Sequence, residues 1–80
     1  MRSLRERLIT CFIAVFPGLS PEQAAAASID TLVEWDSSHH FMLLQVIEEE
    51  VAIPIPLEVA GELDSFSAFE EYLAERTPAS

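Results

Sequence analysis

The sequence contains no lysine, and its cations are four arginines placed at the two ends: Arg2, Arg5, Arg7 and Arg76. Between Ile9 and Glu75 there is no Lys or Arg, while nearly all the acids fall between Glu22 and Glu75. Nucleic-acid binding requires cations that displace phosphate counterions, so this composition argues strongly against it. An anionic membrane surface is disfavoured for the same reason. A single cysteine, Cys11, excludes an internal disulfide framework and a metal site built of cysteines alone. It falls on the apolar face of the first expected helix, where a small buried hydrophobe is the simplest role. No apolar run has the length of a membrane span. Leu8 to Phe16 follows arginines as a signal peptide would, but Pro17-Gly18 replaces the small-residue cleavage site. The segment reads instead as a helix of a cytoplasmic protein.

What is present fits one small all-α domain spanning residues 1–80. Leu4, Leu8, Cys11, Phe12 and Val15 share one face of a helix predicted from about Ser3 to Phe16, ended by Pro17-Gly18. A long connection follows to Asp36. Within it, Ser20 and Pro21 suit the start of a short helical piece. Ile29, Leu32, Val33 and Trp35 are expected to fold that connection back onto the bundle. A second long helix is predicted from Ser37 to Val51, with Asp36 as N-cap and His40, Leu43, Leu44, Ile47 and Val51 as its inward stripe. Burying Leu43, Ile47 and Val51 at ~1.5–3 kcal/mol each outweighs any cap in fixing it. Ile53-Pro54-Ile55-Pro56 breaks the pattern, and Pro56 suits the first position of a short helix running to about Glu62. The last helix starts after Asp64 or Ser65, with Ser67 and Glu70 spaced as a capping box. Phe66, Phe69 and Leu73 point inward. Thr77 to Ser80 reads as a frayed tail. The expected architecture is three main helices and one short one around a single core.

Asp36-Ser37 is the chemically suggestive feature. A serine at a helix start is exposed beside free backbone N–H groups and the positive end of the dipole, where a phosphate is favoured. Ser37 therefore reads as an attachment point. Asp36, Ser37, His39 and His40 also have the residue types of a catalytic triad or a metal site. Neighbours on one helical turn splay apart, and too few ligands are evident, so no catalytic or metal residue is assigned. His40 is expected to pack inward and His39 to be solvated. Met42, Gln45, Glu48 and Glu49 fall on the outward face.

In order and spacing, this pattern resembles the acyl carrier protein family from about Leu4 to Leu73. Asp36-Ser37 matches the first two residues of the family's D-S-L motif, and Trp35 before it matches carriers that read W-D-S-L. Leu43, Ile47 and Glu48-Glu49-Glu50 match the acidic recognition helix. Ile53 to Pro56 resembles the I-x-I-P segment, Ala60 and Leu63 the region that follows, and Phe66 with Tyr72-Leu73 the last helix. The resemblance implies a freestanding monomeric carrier holding 4′-phosphopantetheine, drawn from coenzyme A, as a phosphodiester on Ser37. Acyl groups would ride as thioesters on the arm's thiol, for fatty-acid, polyketide or another specialised acyl-transfer pathway. Asp36 would serve recognition by the phosphopantetheinyl transferase. Met42, Gln45, Glu48 and Glu49 would form the partner-binding face, with Glu48 and Glu49 meeting the basic patches of partner enzymes and Met42 and Val46 as exposed apolar spots in that interface. Ser38 stands where the family has leucine, which points to a specialised pathway and leaves Ser38 as an alternative attachment site. The competing expectation is an unmodified acidic interaction module with the same fold.

Overall fold

The computed structural model describes residues 2–76. Five helices occupy the described residues: α1 (Leu4–Val15), α2 (Pro21–Ala25), α3 (Ser37–Val51), α4 (Leu57–Ala60) and α5 (Phe66–Arg76). No strand is present among them; one antiparallel bridge joins Ser28 to Ser65. The all-α expectation and its three main helices stand. The piece opened by Ser20-Pro21 is a second short helix, so the short ones number two. The tail expected from Thr77 to Ser80 lies outside the described residues.

Local chemistry sets each helix start. Ser3 and Glu6 form a reciprocal capping box on α1, and Ser20 and Gln23 form another on α2. Both satisfy backbone donors that a helix end otherwise leaves open. Asp36 accepts from the His39 N–H at 2.9 Å and caps α3. For α5, the Ser65 hydroxyl accepts from the Ala68 N–H at 3.1 Å. Ser65 is thus the cap, and the Ser67–Glu70 spacing is not used: Ser67 already lies inside the helix. At the far end of α3, Ala52 adopts a left-handed backbone (φ 58°) that turns the chain into the proline segment. The Glu48 carboxylate then accepts from the Ile55 N–H at 2.6 Å, holding that segment against α3.

The core is one cluster. Leu8, Phe12, Leu43, Ile47, Phe66, Phe69 and Leu73 are fully buried within it. Phe12 lies edge-on to Trp35, Phe66 and Phe69, with ring centres 5.2–5.9 Å apart. Such edge contacts contribute about 0.5–1.5 kcal/mol beyond area burial. Trp35 is buried and Leu32 packs against the cluster, so the long connection does fold back. Ile29 and Val33 do not take part. Val33 is 96% exposed and Ile29 47%. The reason is the turn itself: the Thr31 and Leu32 N–H groups bond to the Ser28 carbonyl, so only some side chains of the turn face inward.

All three amino-terminal arginines are paired within the fold. Arg7 and Arg2 reach the Glu50 carboxylate at 3.1 and 3.5 Å, and Arg7 also donates to the Glu50 carbonyl. Arg5 meets Glu70 at 2.9 Å. Arg76 sits 3.7 Å over the Tyr72 ring. Pairs this exposed contribute little, about 0–1 kcal/mol each. Their larger effect is that the cations are occupied while most acids are not.

Candidate functional site

Ser37 is the first residue of α3 and is exposed. The Asp36 carboxylate satisfies the His39 N–H, leaving the N–H groups of Ser37 and Ser38 without intrahelical acceptors. Ser38 is exposed as well. Asp36 itself is solvent-facing. The His39 backbone N–H, then the His39 ring, hold its carboxyl below the ordinary carboxylate range. A full negative charge therefore flanks Ser37 at neutral pH.

The two histidines have different surroundings. The His39 ring Nδ1 lies 2.8 Å from the Asp36 carboxylate, and the ring stacks on Phe16 at 5.5 Å. It is half-buried, not simply solvated as its surface-helix position suggested. Asp36 and Phe16 supply partners that spacing could not reveal. His40 points inward as expected. Its Nδ1 accepts from the Trp35 indole N–H at 2.9 Å. With Nδ1 accepting, the proton of the neutral ring sits on Nε2, which donates to the Ala60 carbonyl at 2.8 Å. The ring thereby joins the long connection to α4. Neither ring is hydrogen-bonded to Ser37.

A surface groove of about 390 Å³ opens beside Ser37. Ser37, Asp36 and His40 line it from the α3 side, Ile29 from the long connection, and Gly61, Leu63 and Asp64 from the turn after α4. Ile29, Gly61, Leu63 and Asp64 had no sequence signal for this role. They lie 8 residues before or 24 to 27 after Ser37 and meet it only through the Ser28–Ser65 bridge and the His40–Ala60 bond.

On the outward face of α3, Met42, Gln45 and Glu49 are exposed together. Glu48 differs: it is half-buried and its carboxylate is already engaged with Ile55. Val46 packs against the core and is not the surface spot expected of it. Phe41, one turn after Ser37 and 57% exposed, takes that place. Cys11 is buried, and burial first, then the nearby Glu50 charge, push its thiol up to about 11. Among the described residues there is no group of three or more His, Cys, Asp or Glu side chains placed to hold a metal ion. No helix of the described residues is long and apolar enough to cross a membrane.

The chain matches no protein-family model, no curated protein and no solved structure.

Proposed function

We propose that this protein is a carrier whose Ser37 holds a 4′-phosphopantetheine arm and presents acyl groups, as thioesters, to partner enzymes. The observation that carries the proposal is Ser37 itself: an exposed serine at the capped start of the acidic helix, on the rim of a groove. In loading, the Ser37 oxygen forms a phosphodiester with the pantetheine phosphate of coenzyme A. The hydroxyl proton is lost and the adenosine bisphosphate half leaves. The helix dipole favours the new phosphate by ~0.3–1 kcal/mol, too little to activate the hydroxyl. No hydrogen-bonded base reaches Ser37, and an unassisted serine is a poor nucleophile. A separate phosphopantetheinyl transferase must therefore supply the chemistry. Asp36, held ionised, would offer a carboxylate oxygen to the magnesium that accompanies the incoming phosphate, an ion that takes oxygen donors.

Partners would approach along Met42, Gln45 and Glu49, with Phe41 as an added apolar contact. The engaged cations and free acids favour enzymes with basic patches, met in a cytoplasmic setting. The test is intact mass after incubation with coenzyme A, magnesium and a broad-specificity transferase. One phosphopantetheine is expected on the unaltered protein and on Ser38→Ala, and none on Ser37→Ala. No gain on any sample, with a known carrier loaded alongside, would replace the proposal with an unmodified interaction module. The exposed Val33, Phe41, Met42 and Leu57 side chains are what favours that second reading.

A further inference from the structure

The space beneath the groove is filled. Phe12, Leu43, Ile47 and Phe69 are fully buried, and Trp35 is 3% exposed. Trp35 stacks with Phe69 at 6.4 Å, and His40 lies 6.2 Å from the same ring. Between groove and core stands the His40 ring, tied by one nitrogen to Trp35 and by the other to Ala60. A chain passing inward from Ser37 would have to part that bridge. It would leave the indole N–H without its partner, take from the Ala60 carbonyl one of its two donors, the Leu63 N–H at 3.2 Å remaining, and displace close-packed rings. The groove itself, at about 390 Å³, is near the small end of cavities that enclose a ligand.

We infer that the group carried on Ser37 is short and lies in the groove between Ile29 and Leu63, and that the Trp35–His40–Ala60 bridge keeps it from entering between the helices. The inference rests on the carrier reading of Ser37. His40 acts here as a specificity-determining residue, through closure and not through chemistry.

The experiment uses the full chain loaded with acetyl-, hexanoyl- or decanoyl-phosphopantetheine, each followed by backbone-amide and methyl NMR. Intact mass comes first. Failure to load Ser37 at all sinks the carrier reading and this inference with it, whereas a loaded protein puts only the inference at risk. On all three loaded forms, resonance shifts are expected at Ile29, His40, Gly61 and Leu63, with the Leu43 and Ile47 methyl groups within a linewidth of the unloaded protein. In His40→Ala, the decanoyl form should shift those methyls and the acetyl form should not. Trp35→Phe keeps an aromatic ring but removes the N–H donor together with part of the buried indole, and it carries the same comparison if His40→Ala does not fold. Core-methyl shifts that grow with chain length in the unaltered protein would overturn the inference. Absence of any groove shift would do so as well, since the cargo would then sit in solvent. Core methyls unmoved by decanoyl in the folded variant would remove the bridge as the determinant.

Discussion

Single residues in this fold are set by their immediate neighbours. Ser37 is assigned a function in the carrier proposal and has none in packing: it is exposed, and Asp36 caps the helix without it. Ser37→Ala is expected to abolish phosphopantetheine loading while leaving stability within about 0.5 kcal/mol, as for surface changes generally. A melting transition far below that of the unaltered protein would contradict this. Ala52 carries the opposite signature, a non-glycine residue at φ 58°. A Cβ in that region is disfavoured, so Ala52→Gly should raise stability by about 0.5–1 kcal/mol, visible as a higher urea midpoint with an unchanged slope. Cys11, with its thiol pushed up to about 11, stays protonated and covered in the native state. Alkylation should be slow in buffer and fast in denaturant. The unfolded chain would ionise from about 9.0 while the folded one would not until about 11. The folded state thus binds the extra proton in that window, and the Cys11 contribution to stability falls as pH rises through it. Asp36 has the reverse sign. Its carboxyl is held below 3.8, so its contribution is complete above that value and is lost as pH falls through the lowered one.

At the scale of elements, the apolar stripe of α3 dominates. Leu43 and Ile47 are fully buried and Leu44 nearly so, while His40 and Val51 at the margins of the stripe are half-buried. Ile47→Ala should cost about 2–5 kcal/mol. At roughly 4–8 °C per kcal/mol for a domain of this size, that is a large fall in Tm. Val33→Ala, at the exposed turn, should leave Tm within about a degree or two, given the near-neutral effect of exposed positions. Equal effects of the two substitutions would refute the assignment of the core. The proline segment has a single carboxylate strut, Glu48 to Ile55 N–H. A charge reversal at Glu48 therefore disturbs the fold as well as the surface, and Glu49 is the cleaner probe of partner contact.

For the whole molecule, charge is the organising fact. The net charge is −10, and the three amino-terminal arginines are occupied by Glu50 and Glu70. Long-range attraction toward a basic partner follows, and it weakens as salt shortens the Debye length to about 8 Å at physiological strength. If the proposed function holds, Glu49→Lys should slow association with a phosphopantetheinyl transferase at low salt and flatten its salt dependence, with the fold unchanged. Identical association rates at low ionic strength would remove α3 from the interface.

The sequence by itself determined the helical periodicity, the breaks at Pro17, Pro54 and Pro56, the Asp36 cap and the exposed place of Ser37. Each depends on residues within a turn or two of one another, so local sterics and hydrogen bonding suffice. It also favoured burial of Phe12, Phe66, Phe69 and Trp35, since large rings are costly to leave in water. Only the tertiary structure decided the groove. Ile29, Gly61 and Leu63 reach Ser37 through the Ser28–Ser65 bridge and the His40–Ala60 bond, contacts between residues 37 and 20 positions apart. It likewise decided that His39 stacks on Phe16, that Glu48 is committed to Ile55, and that Val33 faces outward. No residue type or spacing encodes such pairings, because they depend on which surfaces the folded chain brings together.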